Sequence, residues 1–85
     1  MTETELLQII EDAIREGATS LDLSGKELTT LPPEIGKLTS LTKLYLNDNQ
    51  LTALPPEIGN LTYLEELDLV DNQLTALPSQ IGNFT

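Results

Sequence analysis

The stretch LTKLYLNDNQLTALPPEIGNLTY, residues 41–63, decides the fold because the rest of the chain repeats it. When the chain is shifted by 23 residues against itself, positions 41–62 meet positions 64–85 with fifteen identities. Shifted the other way, its Leu-x-Leu, Leu-Pro-Pro and Ile-Gly segments meet the same segments within residues 21–36. A fixed period of this length is the signature of a repeat protein. The sequence therefore predicts a single domain, residues 1–85, with repeats at 18–40, 41–63 and 64–85.

The first 17 residues lie outside this period and predict a helix over residues 3–16. Thr2 and Glu5 have the spacing of a capping box, and Gly17 stands where a helix usually ends. The apolar residues of this segment fall on one side of a helical wheel: Leu6, Leu7, Ile9, Ile10, Ala13 and Ile14. A helix that binds a membrane surface normally carries basic residues on its polar face, whereas this polar face is mostly acidic. We therefore interpret residues 1–17 as an N-terminal cap on the repeats.

Each repeat opens with Leu-x-Leu, an alternation that places both leucines on one face of a short strand. The pairs are Leu21 and Leu23, Leu44 and Leu46, and Leu67 and Leu69. An asparagine follows in the second and third repeats, Asn49 and Asn72, where a side-chain amide can satisfy partly buried backbone groups. The leucines at positions 28, 51 and 74, and those at 31, 54 and 77, are expected to point inward as the chain crosses to the far side.

The second half of each repeat carries prolines, an isoleucine and a glycine. Proline ends the strand and can begin a short helical turn, which applies to Pro32-Pro33, Pro55-Pro56 and Pro78-Ser79. Ile35, Ile58 and Ile81 are expected inside that turn. Gly36, Gly59 and Gly82 are expected to release the chain into its return leg, and Leu38, Leu61 and Phe84 to close the core.

The pattern LxxLxLxxNxLxxLPxxIGxLxx in residues 41–63 resembles the 23-residue class of leucine-rich repeat. The resemblance implies an α/β solenoid, a horseshoe segment with a short parallel sheet on its concave side and short helical turns on its convex side, here with an N-terminal capping helix. The Leu-Pro-x-x-Ile-Gly version resembles repeats of Ras-associated scaffold proteins and of Roco proteins, in which the repeats accompany a GTPase domain.

Two features depart from this pattern. Lys26 stands where the family has asparagine, so the series of buried amides is expected to begin at Asn49. The third repeat, residues 64–85, is predicted to be uncapped, which leaves its inward leucines with nothing stacked on them.

The residues beside the strand leucines are expected on the exposed concave face because side chains alternate across a strand. These candidate partner-binding residues are Ser20, Asp22, Ser24, Lys43, Tyr45, Asn47, Glu66, Asp68 and Val70. Stacked in register, they give a column of Asp22, Tyr45 and Asp68 with an aromatic ring in its centre. Tyrosine is enriched at interfaces, whereas for any other single residue in the set a solvated strand face is the better explanation.

Charge and composition restrict the partner. Fourteen acidic residues against four basic ones give a net charge of −10, which argues against nucleic acid and against anionic membranes, since both attract basic segments. With no cysteine there is no disulfide framework, and the opening MTETELLQ lacks the basic and apolar regions of a signal peptide. The predicted location is the cytoplasm, and the predicted partner is a protein.

Catalysis has little support in the sequence. The chain contains no histidine and no cysteine, which removes the usual general base, the thiol nucleophile and the soft metal ligands. Asp22 and Asp68 are expected about 10 Å apart, two strand spacings, with Tyr45 between them. Asp48 and Asp71 are better explained by turn hydrogen bonds than by a Ca²⁺ site. The sequence predicts no enzyme, no cofactor and no metal.

Three functional interpretations stay open at this point. The first is a protein–protein interaction module that uses the concave sheet face. The second is a regulatory segment of a larger Roco-type signalling GTPase. The third is a self-associating or engineered minimal scaffold, in which the uncapped third repeat meets another chain.

Overall fold

The computed structural model describes residues 1–78, and these contain one α-helix, three β-strands and two 3-10 helices. In chain order they are α1 (Glu3–Glu16), β1 (Ser20–Asp22), a first 3-10 helix (Pro33–Lys37), β2 (Lys43–Tyr45), a second 3-10 helix (Pro56–Asn60) and β3 (Glu66–Asp68). The predictions for Ser79, Ile81, Gly82 and Phe84 lie outside the described residues.

Helix α1 begins and ends where the sequence predicts. The N–H of Glu5 donates to Thr2 Oγ1 at 3.1 Å, and the N–H of Thr2 donates to Glu5 Oε1 at 2.9 Å, which completes the capping box. Gly17 follows in the left-handed conformation at φ 60° and donates its N–H to the carbonyl of Ile14. Only glycine enters this conformation at little steric cost, so it ends the helix here.

The apolar side of α1 packs against the repeats. Leu6, Ile10 and Ala13 are buried in the same apolar cluster as the repeat leucines, and Ile9 and Ile14 pack at its border. The helix also contacts the first 3-10 helix. None of the helices within residues 1–78 has the length and apolar character that a membrane span requires.

The three strands form one parallel sheet in the order β1-β2-β3. Leu21 pairs with Leu44, and Leu44 pairs with Leu67, so neighbouring strands are offset by one 23-residue period. Backbone hydrogen bonds continue past both ends of the strands. At one end the N–H of Thr42 donates to the carbonyl of Thr19 at 2.7 Å, and at the other end the N–H of Gly25 donates to the carbonyl of Asn47 at 3.0 Å. The short parallel sheet expected from the sequence is confirmed.

The inward positions form one continuous core. Its fully buried members include the second leucine of the first strand pair, both leucines of the second pair, and the isoleucines of both 3-10 helices: Leu23, Leu44, Leu46, Ile35 and Ile58. Pro33 and Pro56 are the first residues of the two 3-10 helices, where a missing N–H costs nothing. The prediction that the second proline of each pair begins a turn is therefore confirmed for both complete pairs.

Asn49 joins the first two repeats through its buried side chain, which is 6% exposed. Its Oδ1 accepts from the N–H groups of Lys26 and Leu28, both at 3.0 Å. Its Nδ2 donates to the carbonyls of Leu23 at 2.9 Å and Leu46 at 3.0 Å. Since an unpaired buried backbone group is costly, one amide side chain allows the chain to turn away from the strand inside the core.

Asn72 repeats this arrangement one period later. Its Nδ2 donates to the carbonyls of Leu46 and Leu69, and its Oδ1 accepts from the N–H of Leu51. In the first repeat Lys26 supplies only a backbone N–H to Asn49. The expectation that the series of buried amides begins at Asn49 is confirmed.

Gly36 has a different role from the one predicted. It is buried inside the first 3-10 helix, and a Cβ atom built on it would lie 2.9 Å from both Glu57 Cβ and Glu57 O of the second 3-10 helix. Real Cβ contacts of that length essentially do not occur. Glycine is present there because two neighbouring turns approach closely, and not because the chain needs freedom to return.

The third repeat is less buried than the first two. Leu67, Leu69 and Leu74 are half-buried, and Leu77 is 53% exposed. The inward prediction holds for Leu31 and Leu54, which are buried, and is wrong for Leu77. The difference follows from stacking, because within residues 1–78 the third repeat has a neighbouring repeat on one side only, whereas the second repeat is covered from both sides.

Candidate functional site

The nine residues predicted on the exposed sheet face lie on the side opposite the core. None is buried, and their register is set by the strand pairing: Ser20, Lys43 and Glu66 form one row, and Asp22, Tyr45 and Asp68 form the next. Ser24, Asn47 and Val70 follow just beyond the strands. We call the row Asp22, Tyr45 and Asp68 the central row. The sheet thus brings together side chains that are 23 and 46 positions apart in the sequence.

The two aspartates of the central row are held in similar turns. Asp22 Oδ1 accepts from the N–H of Ser24 at 2.9 Å and from its Oγ at 2.6 Å, and Asp68 Oδ1 accepts from the N–H of Val70 at 3.0 Å. Within residues 1–78 these bonds use only the Oδ1 atoms, so each carboxylate keeps Oδ2 for an external donor. Donation from the hydroxyl and then the N–H of Ser24 lowers the pKa of Asp22, because both hydrogen bonds favour the ionised form.

Tyr45 lies between these carboxylates and leans toward the third strand. Its hydroxyl donates to Glu66 Oε2 at 3.1 Å, and its ring is half-buried on the sheet surface. This hydrogen bond to Glu66, followed by partial burial and by the negative charges of Glu66, Asp22 and Asp68, raises the pKa of Tyr45. The phenol is therefore surrounded by three carboxylates on two neighbouring strands.

The face carries three acidic side chains and one basic one. Lys43 is exposed in the row next to the central row, where its Cα partner on β3 is Glu66. The one ion pair within the described part of the chain joins Arg15 and Asp12, both on the exposed side of α1. Lys43 therefore neutralises only part of the charge on the face, which keeps a net negative potential.

The turns after the strands contribute two acidic residues that the set of nine omitted, Asp48 and Asp71. Asp48 follows Asn47 and accepts a hydrogen bond from its Nδ2 at 2.9 Å. Asp48 and Asp71 both adopt the left-handed conformation, at φ 59°, and occupy the position that Gly25 takes in the first repeat. The sequence signal for these two aspartates was their recurrence at the repeat period. Their left-handed backbone conformation supports the prediction that they occupy turns. Asp48 adds a carboxylate at the border of the face.

The chemistry open to the central row depends on the spacing of its carboxylates. In the register of the sheet Tyr45 separates Asp22 from Asp68, so these two carboxylates do not form a pair. No cluster of three side chains suited to hold a metal ion occurs within residues 1–78. Three of the surface cavities, of about 240, 160 and 330 Å³, lie beside α1 or between the 3-10 helices, and none of these three is lined by a residue of the nine. A shallow face of this kind fits a macromolecule better than a small ligand.

Comparison with known proteins agrees with this architecture. The family model described as leucine rich repeat matches residues 16–74. A solved structure of a leucine-rich repeat protein from Leptospira interrogans is similar to this chain at 50% identity and a TM-score of 0.65, over 66% of this chain. The chain spans 14% of the length of that protein. A search of curated proteins found no match.

Proposed function

Because the chain belongs to the leucine-rich repeat family, we propose that it is a non-enzymatic protein-binding module whose exposed sheet face contacts the partner. Members of this family are typically interaction modules. The observation that carries the proposal is the register of the sheet, which aligns Asp22, Tyr45 and Asp68 on the face opposite the core. In repeat proteins the exposed sheet is commonly the binding surface.

We propose the following organisation for this module: a cap over residues 1–17 and repeats at 18–40, 41–63 and 64–85, with the sheet concave and the 3-10 helices convex. Burial of Leu6, Ile10 and Ala13 against the repeat leucines supports the capping role of α1. Without the helix, the apolar side of the first repeat would face water. The composition, free of cysteine, keeps the cytoplasm as the predicted location.

The size of the face limits its affinity. The face spans three strands about 4.8 Å apart and the extended chain from the first to the last candidate residue of each repeat, roughly 17 Å, which gives a projected patch of about 200 Å². A standard protein–protein interface buries about 800 Å² on each side. We therefore expect weak binding by residues 1–85 alone, with the flanking turns or further repeats of a longer protein supplying the remaining contact area.

The test of this function compares two variants with matched chemical changes. Tyr45→Ala with Asp68→Lys alters the sheet face. Tyr63→Ala with Glu11→Lys likewise replaces a tyrosine by alanine and an acidic residue by lysine, at exposed positions elsewhere. In affinity capture followed by purified binding assays, we expect the first variant to lose the protein partners of the parent and the second to keep them. Retention of every partner by the first variant would contradict the proposal.

A second candidate function is self-association through the third repeat. Strand β3 lies at the edge of the sheet, and Val70 and Leu77, beside and beyond it, are 64% and 53% exposed. An open strand edge with apolar neighbours can pair with another chain. Analytical ultracentrifugation tests this: a concentration-dependent dimer that Val70→Lys abolishes would support it, and a monomer at every concentration would exclude it. A Roco-type GTPase context has no support in these comparisons.

A further inference from the structure

We infer that the central row, Asp22, Tyr45 and Asp68, accepts an arginine side chain of the partner, so that the partner presents a basic segment to this face. The inference rests on the proposed function and names the chemistry of the partner. Its basis is charge complementarity on a sheet face that nothing in the described chain covers.

The carboxylates are already positioned for a cation. Adjacent strands lie about 4.8 Å apart, so the backbone positions of Asp22 and Asp68 flank that of Tyr45 by one strand spacing on each side. The turns to Ser24 and Val70 fix both Oδ1 atoms. Within residues 1–78 the Oδ2 atoms accept no hydrogen bond, and a bound cation would order few additional side-chain torsions. Little conformational entropy is then lost on binding.

The aromatic ring favours arginine over lysine. A guanidinium stacks flat on a tyrosine face, which attracts cations through its ring quadrupole, and its planar fork presents N–H groups to carboxylates on both sides. A lysine ammonium has no planar surface to stack and donates from a single point. The hydroxyl of Tyr45 is bonded to Glu66, which holds the ring in one orientation on the sheet.

The charged residues around the central row also favour the binding of a cation. Glu66 lies in the next row and Asp48 borders the face, while Lys43 is displaced from Tyr45 by two residues along β2. Lys43 forms no ion pair within residues 1–78, so no direct contact with it neutralises the neighbouring carboxylates. The net charge of −10 on the whole chain also steers a basic segment toward it at low ionic strength.

The probe for this inference is the peptide acetyl-Gly-Arg-Gly-Arg-Gly-Arg-Gly-amide, compared with the same peptide carrying lysine or uncharged citrulline in place of arginine. Titrations are followed by amide chemical shifts at low salt. We expect the shifts to concentrate on the three strands, the arginine peptide to bind about three- to tenfold more tightly than the lysine peptide, and the citrulline peptide to bind more weakly than both.

Two double variants separate the site from overall charge. Asp22→Asn with Asp68→Asn removes two charges from the central row and keeps an oxygen that accepts from Ser24 and Val70. Glu11→Gln with Glu16→Gln removes two charges from the exposed side of α1. We expect the first to weaken arginine-peptide binding about tenfold and the second less than about twofold; the single variant Tyr45→Leu is expected to weaken it about threefold. Preserved amide spectra establish that each variant is folded.

Equal losses in the two double variants, or shifts spread over α1 as much as over the strands, would overturn the inference and leave only unspecific attraction. No binding of the arginine peptide, together with partner capture that Tyr45→Ala and Asp68→Lys abolish, would overturn the arginine assignment and leave the protein-binding function intact. Partner capture that this variant does not affect would remove the proposed function and the inference with it.

Discussion

The hydroxyl of Tyr45 on β2 donates a 3.1 Å hydrogen bond to the carboxylate of Glu66 on β3. Both residues lie on the exposed face of the sheet, on neighbouring strands and in neighbouring rows. Cross-strand diagonal neighbours of this kind are within reach of long side chains. The contact raises the pKa of Tyr45, first through the hydrogen bond and then through burial and the nearby negative charges.

Substitution of Glu66 is therefore expected to lower the pKa of Tyr45. In a Tyr63→Phe background, where Tyr45 is the remaining tyrosine, its ionisation can be followed by ultraviolet absorbance. Glu66→Ala removes both the acceptor and its charge, and Glu66→Gln keeps an acceptor, so the alanine variant should titrate at the lower pH. An unchanged titration in the alanine variant would mean that the hydrogen bond is not formed in solution.

The same pKa shift gives the sign of a pH effect on stability. A tyrosine whose pKa is raised by folding contributes its stabilisation fully below its ordinary pKa of about 10 and loses it as pH rises through the higher folded value. We therefore expect the free energy of unfolding to fall through this tyrosine only in alkaline solution. At neutral pH, denaturant unfolding should show no contribution from its ionisation.

Asn49→Ala is expected to destabilise the fold strongly. It leaves the buried N–H of Leu28 and the carbonyl of Leu23 without this partner, whereas the carbonyl of Leu46 keeps its hydrogen bond from Asn72. Each unsatisfied buried group costs about 1–3 kcal/mol. We expect a loss of about 3 kcal/mol or unfolding, measured by urea denaturation. The matched control is Asn47→Ala on the exposed face, which should change stability by less than about 1 kcal/mol.

Leu46→Ala and Leu69→Ala compare the same repeat position in two environments. Leu46 is 0% exposed, whereas Leu69 is half-buried. Removal of a fully buried leucine side chain costs about 2–5 kcal/mol, and Leu69→Ala should cost less because the residue is already partly in contact with water. Thermal unfolding distinguishes them: an unchanged melting temperature for Leu46→Ala would show that the assignment of inward faces is wrong.

Gly36→Ala tests the contact between the two 3-10 helices. Its methyl group would meet Cβ and the carbonyl oxygen of Glu57 at 2.9 Å, and the carbonyl belongs to the backbone and cannot rotate away. We expect a loss of about 1–3 kcal/mol in denaturant unfolding. Lys37→Ala, at the exposed next residue, serves as the control and should stay within about 0.5 kcal/mol of the parent. A stable Gly36→Ala protein would mean that the two turns are farther apart.

Glu27→Gly is expected to stabilise the chain by up to about 1 kcal/mol, because Glu27 adopts φ 58°, a conformation that side chains disfavour. The N–H groups on both sides of Glu27 bond Asn49 Oδ1. Gln50, one period later, does not share this positive φ. Gln50→Gly should therefore destabilise the chain through added flexibility of the unfolded state, and the opposite signs can be measured by urea denaturation. Equal effects of the two substitutions would contradict the explanation.

Much of the fold, and which residues lie on the exposed sheet face, could be predicted from the sequence. The capping box of Thr2 and Glu5 depends on residues three apart, so local spacing is enough to find the start of α1. The period of 23 residues fixes the strand register once parallel stacking is assumed. Alternation around the leucines then places Asp22, Tyr45 and Asp68 in one row. The role of this row in binding stays a prediction.

Contacts between neighbouring repeats could not be predicted, because they depend on distances that only stacking sets. The close contacts that require glycine at position 36 come from Glu57, 21 positions later in the sequence. The orientation of Tyr45 toward Glu66 depends on side-chain torsions and on the local twist of the sheet.

The sequence by itself determined the period, the capped helix, the inward leucines of the first two repeats and the asparagine positions, because each follows from local spacing or from repetition. Only the tertiary structure decided how closely the 3-10 helices pack, that Leu77 is exposed although its counterparts Leu31 and Leu54 are buried, and which carboxylate holds Tyr45. The physical reason is that burial and close contact are properties of the stack. Identical residues in successive repeats therefore differ in environment according to what packs on either side of them.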